Sequence, residues 1–307
     1  MSEINFKIKY LKNVDLSSYT YTKTGGYVPI MFFPKVISEL KHLMVWLREN
    51  KLNYITLSGM TNIAVASGKL SFVVVNMSEY NEAEPEWNGG KFLNVSASYE
   101  MKKLAKWTFK RNIKGLAWME GIPGCVGAGI YMHAGFLLGQ DMQTYLVDAQ
   151  YLDLDDLQVK TISNQELLFR YRYSKFQDMN AIILSGRFLV SKIQEDWKKN
   201  LRRFKYKRLM NRYHNRRKTN QPLNFPSAGT VFVPPYPYHV GGMLRELNLV
   251  GYQIGGAKIS EKSPGFIISV DNMSGEDYYK LVQHIQKEIK KNYSIDLIPE
   301  VRLIGFD

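Results

Sequence analysis

The chain has 307 residues, 45% of them hydrophobic, enough to bury a sizeable core and to form two or three domains. No run reaches the ~18 consecutive apolar residues of a membrane span; the single cysteine, Cys125, excludes an internal disulfide; and no Cys/His cluster at ligand spacing supports a metal site. The net charge of +13 is concentrated in one place, since Lys198 to Lys218 holds eleven Lys or Arg and no acid, which leaves +2 for the rest.

In chain order, Met1-Ser-Glu-Ile-Asn-Phe-Lys7 has neither an apolar core nor a cleavage site, so no signal peptide is expected. Together with the single cysteine this fits a reducing cytoplasm. Residues 36–50 read as a helix with Val36, Ile37, Leu40, Leu43, Met44 and Leu47 on one face. Short strands are expected over 53–57 and 71–75, around a Ser58-Gly-Met-Thr-Asn62 turn. The Gly- and Asn-containing stretch 88–94 reads as a loop, and residues 97–190 mix strands with a Gly-rich connection over 121–139. The basic stretch reads as an amphipathic helix with Leu201, Phe204, Leu209, Met210 and Tyr213 recurring along its inner side. Its basic face is solvated or lies near an anionic ligand; docking on a membrane surface or a nucleic acid stays open, without any zinc finger, RRM motif or interleaved aromatics to support the latter. A new unit spans 221–270, followed by a helix opened by a Ser274/Asp277 capping box and buried through Leu281, Val282, Ile285 and Ile289. A strand over 297–304 closes an α+β architecture.

Three constellations carry possible chemistry. Four glycines in the nine residues Gly121-Ile122-Pro123-Gly124-Cys125-Val126-Gly127-Ala128-Gly129 allow the backbone to approach a ligand and aim N–H groups at phosphate oxygens. The stretch is not a strand–GxGxxG–helix fingerprint, and a tight structural turn explains it equally well. Phe169-Arg-Tyr-Arg-Tyr-Ser-Lys-Phe176 alternates aromatic and basic residues, as a surface strand or turn does. Thr230 delivers a hydroxyl into a Val-Phe-Val strand, and Glu300 places a carboxylate in an otherwise apolar one. Such a pair suits delivery of a proton to a developing carbanion; for Glu300 alone, a salt bridge to Arg302 is the plainer alternative.

Taken together these motifs resemble the UDP-N-acetylenolpyruvoylglucosamine reductase family, over nearly the whole chain from about Tyr19 to Phe306. Lys23-Thr-Gly-Gly26 resembles the early glycine turn of the family. Ser58-Gly59-Met60-Thr61-Asn62 stands where the family usually has Gly-Gly-Gly-Ser-Asn. Gly121-Ile-Pro-Gly124 with Met132-His-Ala-Gly135 resembles its flavin loop, and Ile254 to Lys262 its Gly-Gly-Ala-x-Val-Ser-x-Lys run. The resemblance implies a two-subdomain FAD-binding fold of the vanillyl-alcohol oxidase/PCMH type, with a C-terminal α+β substrate-binding domain. Its divisions would be 1–80 (with 297–307 returning to it), 81–215 and 216–296.

The activity implied is reduction of an enolpyruvyl ether on UDP-N-acetylglucosamine for peptidoglycan precursors, with FAD as cofactor and NADPH as co-substrate. Ser58, Gly59, Met60, Thr61, Asn62, Gly121, Ile122, Pro123, Gly124, Gly127, Ala128, His133 and Gly135 would bind the flavin. Arg172 would hold the enolpyruvyl carboxylate, Thr230 would replace the usual serine as proton donor, and Glu300 would match the catalytic glutamate. Tyr171, Arg217, Lys218 and Lys262 would contact the sugar nucleotide. Neither nucleic acid nor stable membrane insertion is expected, and the protein would be a monomer or weak oligomer. Two rivals remain: a paralogue acting on another sugar nucleotide for a surface polysaccharide, and a non-catalytic binding protein on the same fold.

Overall fold

Ser274 opens the helix Gly275–Tyr293 as the capping box requires: its hydroxyl accepts from the Asp277 N–H at 3.0 Å, and the Asp277 carboxylate accepts from the Ser274 N–H at 3.1 Å. Leu281, Val282, Ile285 and Ile289 on its inner face are all buried. The expected helix over 36–50 forms as Ile37–Glu49, and the flanking strands as Tyr54–Leu57 and Val73–Asn76. The computed structural model describes residues 7–137, 139–193 and 198–306, so the N-terminal stretch Met1–Phe6 inspected for a targeting signal lies outside the described residues.

By compactness the chain divides into two units. The first comprises the described residues up to Tyr10, Phe32–Gly59 and Val73–Arg217. In it, Tyr54–Leu57 pairs in parallel with Val73–Asn76. A four-stranded antiparallel sheet runs in the order Val159–Ser163, Leu146–Asp153, Ala181–Leu189, Phe92–Ser96. The helices Met101–Lys110 and Val126–Tyr131 cover one face of that sheet, where Leu93, Val95, Leu104, Ile130, Ala149 and Phe188 form the core. The loop expected over 88–94 ends early, because Leu93 and Val95 alternate inward and draw Phe92–Ser96 into the sheet. The Gly-rich connection likewise contains the helix Val126–Tyr131, anchored by buried Val126 and Ile130.

The second unit comprises Leu11–Met31, Met60–Phe72 and the residues from Lys218 onward. Its antiparallel sheet runs Ser227–Thr230, Phe266–Ser269, Ala257–Ile259, Gln253–Ile254. The capped helix packs its apolar face into a core with Phe232, Met243 and Leu244. The C-terminal strand Arg302–Ile304 pairs in parallel with Ile63–Val65. The proposed three-part division of the chain thus cuts across a two-part division by compactness.

The basic helix forms as Lys199–Asn220, with one correction to its expected inner face. Leu209, Met210 and Tyr213 do pack on the core of the first unit, joined by Tyr206, whereas Leu201 and Phe204 are 52% and 63% exposed. At 100° per residue those two lie on the side opposite Tyr206, Met210 and Tyr213. Apolar spacing without the tyrosine at 206 concealed this.

Candidate active site

In the first unit, strand Tyr54–Leu57 ends in Ser58-Gly59, and Gly59 lies directly against the Gly-rich loop. A Cβ at Gly59 would stand 2.9 Å from Gly124 Cα and 3.2 Å from Cys125 N, so only glycine permits this approach. Gly124 itself takes a φ of 96°. The loop is pinned from behind: the Gly124 carbonyl accepts from the Met101 N–H at 3.0 Å, and the Gly127 N–H donates to the Ala97 carbonyl at 2.8 Å. The amides of Gly59, Gly124 and Cys125, by contrast, have no protein acceptor among the described residues. Ser58 Oγ is buried without a conventional partner beside the Cys125 thiol, which burial pushes up against the opposing pull of the Ser58 hydroxyl. Adjacent unclaimed amides at a close backbone approach are groups that could hold an anion such as a diphosphate.

The later part of the loop is laced to the Phe169–Phe176 motif. Ser174 Oγ and Gln177 Nε2 both donate to the Tyr131 carbonyl, at 2.9 and 3.0 Å, and Gln177 also donates to the Arg172 carbonyl at 2.9 Å. Arg172 Nη1 donates to the carbonyls of His133 and Gly135, at 3.3 and 2.9 Å. His133 Nδ1 lies 2.5 Å from the Arg170 carbonyl, which can only accept, so that nitrogen carries the proton. The imidazole packs on Phe169 with ring centroids 4.7 Å apart, and Nε2 is buried with no hydrogen-bond partner among the described residues. Tyr171 is 55% exposed and its ring lies 5.1 Å from the Arg172 guanidinium. Gln177 lies one residue beyond the motif that the sequence picks out, and nothing in its local pattern marks it.

In the second unit the chain continues through Met60-Thr61-Asn62, whose amides also have no protein acceptor among the described residues. Met60 adopts a φ of 46°, the left-handed region that glycine enters at least cost, at a position where glycine is usual. Asn62 is committed to the C-terminal strand: Nδ2 donates to the Glu300 carbonyl at 3.1 Å, and its own carbonyl accepts from the Arg302 N–H at 3.0 Å. Glu300 in turn donates its N–H to the Val231 carbonyl at 2.8 Å, and Phe232 bridges Pro299. Thr230 ends the strand Ser227–Thr230, whereas Glu300 lies in a bend two residues before the strand Arg302–Ile304 and not in the strand expected over 297–304; both are half-buried, and the Glu300–Val231 bond ties the two segments together. Gly229 turns the backbone before Thr230 with a φ of 90°, and the Thr230 methyl faces Gly265, where an added Cβ would come within 3.6 Å. Lys262 Nζ donates to the Lys218 carbonyl at 2.8 Å, so these two expected substrate contacts are neighbours. Arg172, Tyr171 and Arg217 belong to the first unit; Thr230, Glu300, Lys218 and Lys262 belong to the second. A polar groove of about 530 Å³ beside Asn81, Glu84, Asp148 and Arg187 contains none of these residues, and its Arg187 and Asp148 pair with each other.

An α+β chain with a close glycine approach and acceptor-free amides in its first unit has the features of a class of proteins that hold a phosphate-bearing ligand. Comparison with known proteins narrows the class. The family described as "UDP-N-acetylenolpyruvoylglucosamine reductase, C-terminal domain" matches residues 221–304. The UDP-N-acetylenolpyruvoylglucosamine reductase of Limosilactobacillus reuteri is 32% identical over 300 residues, covering 97% of this chain and 96% of the relative. The Enterococcus faecalis reductase of the same name is 32% identical over 305 residues, covering 99% and 97%. The solved UDP-N-acetylenolpyruvylglucosamine reductase of Thermus caldophilus superposes with a TM-score of 0.78 at 23% identity, covering 97% of this chain and 99% of that one. The chain belongs to the UDP-N-acetylenolpyruvoylglucosamine reductase family and has its FAD-binding fold with a C-terminal domain.

Proposed function

We propose that this protein reduces the enolpyruvyl ether of UDP-N-acetylglucosamine to the lactyl ether, yielding UDP-N-acetylmuramate for peptidoglycan precursor synthesis, with FAD bound and NADPH as co-substrate. The observation that carries the reading is the close approach of Gly59 to Gly124 in the first unit, where the amides of Gly59, Gly124 and Cys125 have no protein acceptor among the described residues, in a chain of this family. They fit the diphosphate of a flavin dinucleotide, with Ile122, Pro123 and the 131–135 segment available to its ring system. The enzyme would work in the cytoplasm as a monomer or weak oligomer; among the described residues no helix is long and apolar enough to cross a membrane.

FAD held at these amides would supply the two-electron redox chemistry that links the nicotinamide to the enolpyruvyl double bond. Arg172 grips the substrate carboxylate in a planar fork and draws negative charge toward it from the neighbouring carbon. The carbonyls of His133 and Gly135 hold that guanidinium in place. Thr230 Oγ1 gives its proton to the carbon that gains charge, and Glu300 stabilises or relays the proton that restores the hydroxyl. Lys218 and Lys262 are available to the diphosphate of the sugar nucleotide.

The test is anaerobic reduction of the flavin-loaded protein by NADPH, followed by addition of UDP-N-acetylglucosamine enolpyruvate. Bleaching and recovery of colour support the reading, whereas bleaching without recovery moves the reaction to another acceptor. A protein that takes up no FAD overturns it. Thr230→Ser retains turnover, and Thr230→Val loses about 10²–10⁴-fold in sugar reduction while NADPH still bleaches the flavin. Full sugar-reducing activity in the valine variant removes Thr230 from the role of proton donor.

A further inference from the structure

We propose that the outer face of the basic helix Lys199–Asn220 docks this protein on an anionic lipid bilayer. The inner face of the helix is accounted for by Tyr206, Met210 and Tyr213, all buried in the core of the first unit. Opposite them, at helical spacing, lies a second stripe: Leu201, Phe204, Lys205, Arg208, Arg212 and Arg216. All six are exposed, Leu201 by 52% and Phe204 by 63%. The four cations of the stripe have no ion pair with a carboxylate among the described residues.

Nothing in the fold requires this stripe. Arg208, Arg212 and Arg216 follow one another at four-residue spacing, where like charges repel and weaken their own helix. The capped helix Gly275–Tyr293 shows the ordinary solvated pattern in the same chain, with Glu276, Lys280, Lys287 and Glu288 mixing both signs. The four cations of the stripe, in a segment with no acid between Lys198 and Lys218, call for a polyanion to neutralise them. The two apolar side chains decide which one. Leu201 and Phe204 sit one turn apart at the N-terminal end of the stripe, and an aliphatic leucine has no use for a nucleobase. A headgroup–acyl boundary takes up both residues while its phosphates meet the cations below them, which supplies the two signals that stable peripheral binding needs. Among the described residues no helix can span a bilayer, so the contact is peripheral.

The experiment is cosedimentation of the full chain, at low salt, with vesicles of about 30% phosphatidylglycerol in phosphatidylcholine and with pure phosphatidylcholine. Binding to the anionic vesicles alone, released by added salt, is expected. A triple variant Lys205→Gln, Arg208→Gln, Arg212→Gln binds on the order of a hundredfold more weakly. The double variant Leu201→Ser, Phe204→Ser, with every charge intact, binds at least about tenfold more weakly. Both variants keep the three buried side chains, and unchanged thermal unfolding without vesicles verifies their fold. Absence of binding to the anionic vesicles overturns the proposal, as does a double variant that binds like the parent. Tighter retention of single-stranded RNA at equal phosphate concentration reassigns the stripe to nucleic acid and overturns it too.

Discussion

The turn 58–62 and the segment 131–135 are both glycine-bearing and both expected at the flavin, and carbonyls of both accept protein hydrogen bonds, yet the protein treats their amides in opposite ways. In 131–135 the protein uses its own groups: the Tyr131 carbonyl takes Ser174 and Gln177, the carbonyls of His133 and Gly135 take Arg172, and the Ala134 N–H donates to the Gly129 carbonyl. In 58–62 the amides from Gly59 to Asn62 have no protein acceptor among the described residues. The contrast separates a scaffold that fixes a side chain from a turn whose amides suit the cradle proposed above. Buried or half-buried amides without partners are costly, so a stable fold keeps several in a row where something else binds them.

The largest effect that would test this contrast is expected at Gly59. Gly59→Ala puts a methyl 2.9 Å from Gly124 Cα, and the obstacle is backbone rather than a flexible side chain. Overpacking of this kind costs about 1–3 kcal/mol, which corresponds to a loss of about tenfold to a hundredfold in flavin affinity if the strain is relieved by parting the two loops. Flavin absorbance per protein after gel filtration measures it. Wild-type retention of FAD in this variant would break the contrast, because the close approach would then serve packing alone.

A smaller effect, and of the other kind, belongs to Gln177. Gln177→Ala removes the donor that serves the carbonyls of both Tyr131 and Arg172. Losing these two bonds, with Ser174 still serving the Tyr131 carbonyl, costs about 1–3 kcal/mol of stability, a few degrees in Tm. Because the residue braces Arg172 rather than the turn, KM for the enolpyruvyl substrate rises while FAD retention holds. Loss of FAD with an unchanged Tm would assign Gln177 to the cradle instead.

The legibility of the chain follows the same physical divide. The capped helix could be read from its sequence because cap, periodicity and burial all agree at Ser274, Asp277, Leu281 and Ile285. Thr230 and Glu300 stood out in the sequence as a lone hydroxyl and a lone carboxylate among apolar residues; that their segments adjoin depends on the pairing of Glu300 with Val231, which no local pattern encodes. The outer placement of Leu201 and Phe204 was not legible, since apolar residues spaced three to five apart look alike whether a core or a partner meets them. Gln177 stayed hidden for a similar reason: its two acceptors are carbonyls, and backbone acceptors leave no mark on a sequence. The orphan amides of 58–62 were only half legible, because Ser58 and Met60 stand where glycines would announce the turn.

Met60 gives the smallest and sharpest test. Its φ of 46° is a left-handed conformation that costs a side-chain-bearing residue about 1–2 kcal/mol, a cost Met60→Gly removes. The side chain is only 5% exposed, so its deletion loses about 1.5–3 kcal/mol of burial, and glycine adds about 0.5–1 kcal/mol of unfolded-state entropy. These opposing effects leave a net destabilisation of about 1–2 kcal/mol, a small fall in Tm. The amide at position 60 points as before, so FAD affinity stays within about twofold of the parent if the backbone alone forms the cradle. Calorimetry and flavin titration on the one variant separate the two roles. A large drop in FAD affinity at nearly constant Tm would show that the Met60 side chain, and not the left-handed turn it occupies, does the binding.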